Sequence, residues 1–204
     1  GGQFATRLWW ALTYYGHDRV SVLDGGWKKW SAEGRPTTSE VPRTEPAAFT
    51  PRPRGGWRKD AQDLLAASED KGARKTEVAQ KRGDKESRAT SVFILDARDK
   101  GQYTGAIARG EGRPGRIPGA AHLHADSLFD SESGTFRPDA ELAQKLREVG
   151  VPEDRDEPVV AYCNGGVAAT VPLFVLHRLG YRNLANYDGS WNEWGVRDDL
   201  PVER

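Results

Sequence analysis

The stretch Pro158-Val159-Val160-Ala161-Tyr162, followed at once by Cys163-Asn164-Gly165-Gly166-Val167-Ala168-Ala169-Thr170, decides the fold. An unbroken apolar run of this length reads as a strand buried on both faces, as in parallel sheets. The glycine pair marks a tight loop. Thr170–Leu179 then reads as an apolar helix that stops at Gly180, with Pro172 tolerated in its first turn. The same alternation recurs on either side. Val92–Leu95 is a strand that ends in Asp96-Ala97-Arg98, and Ala108–Pro118 is a Gly/Arg/Pro loop. Leu142, Leu146 and Val149 lie on one face of a helix opening at Pro138 and closing at Gly150, and Leu184–Tyr187 is the last strand. Alternating strands and helices predict an α/β fold of three layers, α/β/α, around a parallel sheet.

A second reading comes from self-similarity. Residues 1–30 set against 165–194 without a gap give ten identities: Gly1, Gly2, Ala5, Thr6, Leu12, Gly16, Asp24, Gly25, Trp27 and Trp30 fall on Gly165, Gly166, Ala169, Thr170, Leu176, Gly180, Asp188, Gly189, Trp191 and Trp194. By this repeat, residues 4–15 form a buried helix, Val20–Leu23 a strand and Gly26–Glu33 a short helix. Only the second copy is preceded by a long stretch of its own. Residues 1–34 are therefore read as the C-terminal tail of one module, and 57–204 as a complete second one. Between them, 35–56 carries Pro36, Pro42, Pro46, Pro51 and Pro53 and reads as an extended linker. Ala61–Ser68 is a short helix. Glu69–Ser91 mixes charges of both signs without apolar periodicity and reads as a solvated loop.

Composition narrows the function. The 204 residues are 37% hydrophobic and 29% charged, with 30 Lys+Arg against 30 Asp+Glu, so nothing pulls the chain towards nucleic acid or an anionic membrane. No apolar stretch approaches the ~18 residues of a membrane span. One Cys excludes an internal disulfide framework and a multi-cysteine zinc site. It does not exclude a nucleophile.

Ligands of open α/β sheets bind beyond the carboxyl ends of the strands, where Cys163 stands. Gly165 and Gly166 let the backbone curl so that successive N–H groups form an anion-binding nest, and the helix that follows adds its positive end. Both favour a thiolate over a thiol. A buried, inert cysteine would need neither feature. A cysteine phosphatase requires Arg six residues after the Cys to clamp phosphate. That position is Ala169, so a sulfur electrophile is left.

Other residues invite weighing. Asp96 and Arg98 end a strand on the same sheet edge, as a structural ion pair or as contacts to an anionic donor. Asp188, Gly189, Trp191 and Trp194 recur in both copies, which argues for packing. Ser190 is Gly26 in the first copy and could face the pocket. His122 and His124 alternate as on one strand face, a thin signal for a metal. Arg109, Arg113 and Arg116 could steer anions to the cleft.

Together Cys-Asn-Gly-Gly-Val-Ala-Ala (163–169), Leu-Asp-Ala-Arg (95–98) with Tyr103 and Gly105, Arg-Ile-Pro-Gly-Ala (116–120) and Tyr-Asp-Gly-Ser-Trp-Asn-Glu-Trp (187–194) resemble the two-domain rhodanese sulfurtransferases. The resemblance implies a rhodanese-like fold and a ping-pong reaction. The Cys163 thiolate takes a sulfane sulfur from thiosulfate, forms a persulfide and passes it to cyanide or a thiol, with no cofactor and no metal. Asn164, Gly165, Gly166, Val167 and Ala168 are implied as the loop that holds the persulfide. Arg98 and Gln102 are carried as donor contacts, Gln102 standing where the family has an arginine, and Arg116 stands where His is usual. 3-Mercaptopyruvate is the alternative donor, and a non-catalytic sulfur carrier the alternative class. The offset puts the first copy's cysteine-equivalent position two residues before Gly1. The expected protein is a cytoplasmic monomer.

Overall fold

A computed structural model describes residues 2–68 and 92–204. The expected loop at 69–91 lies outside the described residues. In chain order the elements are α1 (Gln3–Tyr14), α2 (Gly26–Ala32), β1 (Arg58–Lys59), α3 (61–68), β2 (Phe93–Asp96), α4 (Lys100–Thr104), β3 (Ala121–His122), α5 (Asp139–Glu148), β4 (Val159–Tyr162), α6 (Thr170–Arg178), β5 (Leu184–Tyr187) and α7 (Ser190–Trp194).

Every strand pair is parallel, in the order β1-β5-β4-β2-β3, with β4 at the centre. Strand periodicity sends alternate residues to opposite faces. Val159, Ala161 and Cys163 join Leu95, Leu184 and the apolar side chains of α1, α5 and α6 in one core. Val160 and Tyr162 join Ile94, Ala185 and Tyr187 against Ala61, Leu64, Trp191 and Trp194 of α3 and α7 in the other. Two cores on two faces of one sheet make three layers, as the alternation predicted. Among the described residues no helix is long and apolar enough to cross a membrane.

The N-terminal segment is part of this packing. α1 lies along α6, burying Trp9 and Trp10, and Trp9 meets Phe174 and Trp57 edge-on at 5.0 and 5.7 Å. At their crossing Thr6 Oγ1 sits 2.8 Å from Thr170 Oγ1, two threonines separated by the 164 positions of the sequence repeat. α1 ends at Gly16 (φ 89) and α6 at its counterpart Gly180 (φ 92), each in the left-handed turn that glycine adopts without strain. No helix or strand interrupts 35–54. The end of that stretch is docked: Arg52 and Arg54 N–H groups donate to the Tyr15 and Tyr14 carbonyls, supplying partners that the end of α1 lacks.

Some local expectations are corrected. Val20–Leu23 is not a strand. Its counterpart β5 has a neighbour on each side, whereas 20–23 has no strand beside it among the described residues, and an unpaired strand leaves its backbone groups unbonded. His122 and His124 do not alternate on one strand, because β3 ends at His122. β1, α4 and α7, of two to five residues each, carry too little periodicity to read from sequence.

Candidate active site

Cys163 follows β4 directly and is 4% exposed, at the base of a cavity of about 580 Å³. Asn164, Gly165, Val167 and Ala168 line one wall. Ala97, Arg98, Asp99, Gln102, Arg109 and His124 line the wall beyond β2 and β3, and Gln3 and Phe4 reach in from α1.

The loop's shape follows from where its carbonyls are held. Among the described residues all peptides are trans, so a carbonyl and the N–H of the next residue point in opposite directions. The Cys163 and Asn164 carbonyls accept from the Trp191 and Asn192 N–H groups at the start of α7, each at 2.9 Å. The Gly166 carbonyl accepts from Asn186 Nδ2 at 3.0 Å and Arg7 Nη1 at 3.1 Å, and the Val167 carbonyl from Thr170. With those four carbonyls drawn into the scaffold, the N–H groups of Asn164, Gly165, Val167 and Ala168 turn the other way. Among the described residues these four meet no acceptor. Four unbonded donors on the wall beside a thiol form a receptor for negative charge on sulfur.

Gly166 differs from the other loop residues. Its N–H donates to Ser190 Oγ at 2.9 Å, and it does not line the cavity. Its part in the loop is conformational. At φ 72, a Cβ there would come within 2.6 Å of Asp188 Oδ1 and 2.9 Å of the Asp188 carbonyl. Ser190 does not face the cavity either. Fully buried beneath the loop, its Oγ accepts from the Cys163 N–H at 3.1 Å and from Gly166, and donates to the Tyr187 carbonyl at 2.8 Å. Its φ of 53 matches the φ of 56 at Gly26, its counterpart in the repeat, although serine bears a Cβ. The Ser/Gly mismatch between the copies was the sequence signal for this residue.

Arg98 lines the cavity and also organises the strand edge. Its guanidinium forms a buried pair with Asp96 (Nη2 to Oδ2, 2.6 Å), donates to the Gly115 carbonyl and lies 4.2 Å from the Trp191 ring centre. Its Nε and Nη2 groups are the ones that hold Asp96 and Gly115. Tyr162 completes this cluster by donating to Asp96 at 2.6 Å; burial and the Asp96 charge push its hydroxyl well above the ordinary value, so it keeps its proton. Gln102 does reach the cavity wall. Its amide nitrogen donates to Asp99, and its buried Oε1 has no partner. The Gln102 backbone N–H is the main reason the Asp99 carboxyl is held below its ordinary range.

Of the three loop arginines, Arg113 is taken up by the carbonyls of Gly195, Arg197 and Leu200, and Arg116 by Glu203 and the Tyr103 ring. Arg109 alone of them lines the cavity. His122 bonds the Arg98 carbonyl and stacks on Tyr103, while His124 lies on the cavity wall 3.9 Å from Asp126. Sequence reasoning missed Arg7, the sole charged residue of α1, whose charge on an otherwise uncharged helix was the available sign.

The parallel sheet with its cysteine loop beyond a central strand defines a class, and comparison with known proteins agrees. The rhodanese-like domain model matches residues 75–196, and the chain belongs to that family. It is 32% identical over 98% of its length to the Mycobacterium bovis protein named "Putative thiosulfate sulfurtransferase 1". It is 31% identical over 98% of its length to the "Sulfur carrier protein TtuD" of Thermus thermophilus. It spans 67% of each of these relatives. Among solved structures, wild-type EanB superposes with a TM-score of 0.77 at 22% identity, over 98% of this chain and 44% of that one. An EanB variant bearing a cysteine persulfide with ergothioneine gives a TM-score of 0.79 at 23% identity, over 100% of this chain and 46% of that one.

Proposed function

We propose that the chain transfers sulfane sulfur from thiosulfate, through a persulfide on Cys163, to cyanide or a thiol. The observation that supports it most is the single cysteine at the base of a cavity whose wall offers four unbonded N–H groups. In the first half-reaction the Cys163 thiolate attacks the outer sulfur of thiosulfate. An S–S bond forms to Sγ, the S–S bond of thiosulfate breaks with its electron pair, and sulfite leaves. The terminal sulfur of the persulfide carries the negative charge, and the amides of Asn164, Gly165, Val167 and Ala168 are the groups that stabilise it. In the second half-reaction cyanide, or an acceptor thiolate, attacks that terminal sulfur and Sγ departs as the regenerated thiolate. No external oxidant or reductant enters.

The 163–169 loop carries no cationic side chain, so an anionic donor draws on Arg98 and Arg109 of the cavity wall. The name of the Thermus relative favours a second reading, in which Cys163 carries sulfur to a partner without turning over small acceptors. Steady-state assays with thiosulfate and with 3-mercaptopyruvate as donors and cyanide as acceptor separate the readings. The thiosulfate reading expects catalytic thiocyanate formation, faster from thiosulfate. Faster turnover with 3-mercaptopyruvate replaces the donor, and one sulfur loaded without turnover replaces the enzyme by the carrier.

A further inference from the structure

We propose that Arg7 of the N-terminal helix is a positioning residue for the sulfur-holding loop, acting through the Gly166–Val167 peptide. The proposal rests on the sulfur-transfer reading of Cys163 and goes beyond it, because it places a determinant of the rate in the segment before the linker. Arg7 Nη1 donates to the Gly166 carbonyl at 3.1 Å and pairs with Asp188. Its guanidinium lies 4.5 Å from the Trp10 ring centre, which fixes it against α1.

Two consequences follow for the Val167 N–H, at the far end of the same planar peptide. With the carbonyl held by Arg7 on one side and Asn186 on the other, the N–H is aimed away from the scaffold, on the wall shared with Cys163. A cation on the carbonyl oxygen also polarises the peptide, which makes the N–H a stronger donor to a negatively charged sulfur. Asn186, being neutral, supplies the direction without the polarisation. Arg7 touches neither the thiol nor the cavity, since it does not line the cavity wall. Its effect is therefore on the rate of sulfur capture and not on donor binding.

The test uses the full chain with Arg7→Met, which keeps a long apolar stem over Trp10, and Arg7→Lys, which restores the charge. Persulfide formation from thiosulfate is followed by rapid-quench mass spectrometry beside steady-state kinetics and thermal unfolding. The expected result for Arg7→Met is a capture rate and kcat about tenfold lower, with KM within about twofold. Arg7→Lys recovers most of that loss. Should Arg7→Met fail to fold, Arg7→Gln takes its place and is expected to show the same kcat-selective loss. A folded Met or Gln variant with the wild-type capture rate overturns the proposal. So does a loss that tracks a lowered unfolding temperature and is not restored by lysine. A wild-type chain that forms no persulfide defeats the sulfur-transfer reading itself, which the wild-type arm shows separately.

Discussion

Replacing Ser190 by alanine removes a single oxygen from beneath the loop, and the structure gives the cost. That oxygen accepts from two N–H groups, those of Cys163 and Gly166, in a place sealed from solvent. Orphaning a buried donor costs about 1–3 kcal/mol, and the two are close enough that their penalties will not simply add. Ser190→Ala is therefore expected to lose about 2–4 kcal/mol of stability. Ser190→Gly loses the same oxygen but behaves differently. The backbone at φ 53 is left-handed, which burdens any residue with a Cβ by about 1–2 kcal/mol and spares glycine. Ser190→Gly is thus expected to be more stable than Ser190→Ala by about 1 kcal/mol, the reverse of their usual order within a helix. Urea unfolding reads both differences as shifts in midpoint at constant slope. An alanine variant within about 0.5 kcal/mol of wild type, or more stable than the glycine variant, would refute the reasoning.

Trp9→Ala is expected to cost about 3–5 kcal/mol by thermal unfolding, because Trp9 is buried between Trp57 and Phe174. By the same packing, a chain beginning at Arg54 should be less stable than the whole; equal stability would show that α1 does not support α6. At the loop, Gly165→Lys should fold normally and lower KM for thiosulfate severalfold, since a Cβ there meets only Asn192 Nδ2, at 3.2 Å. Gly166→Ala should lose more than about 2 kcal/mol and most turnover, because it combines a left-handed φ with a collision against the Asp188 backbone. Equal stability of the two loop variants would contradict the account.

The parallel sheet was legible because β4 is apolar at every position and ends in a glycine loop, a pattern that sterics and burial leave little freedom to read otherwise. The helices at α5 and α6 were legible from their periodicity and their glycine stops. Val20–Leu23 was misread because strand character depends on a neighbouring strand, which composition does not reveal. The candidate site was legible at Cys163 and in the loop as a whole, since the local sequence sets both. Its division of labour was not. That Gly166 gives its N–H to Ser190 while Asn164, Gly165, Val167 and Ala168 keep theirs depends on α7 and on Arg7, and contacts across 24 to 159 positions leave no local mark. Arg98 was weighed between ion pair and donor contact; it pairs with the buried Asp96 carboxylate and lines the cavity as well.

Capture of one sulfur by Cys163 is the step on which the proposed transfer rests. Intact-mass spectrometry of the whole chain after brief exposure to thiosulfate tests it most directly, because the only thiol is Cys163. A gain of one sulfur atom, discharged by cyanide as thiocyanate, is expected, with no gain in Cys163→Ser. A folded wild-type chain that gains no sulfur, or a serine variant that gains one, would contradict it.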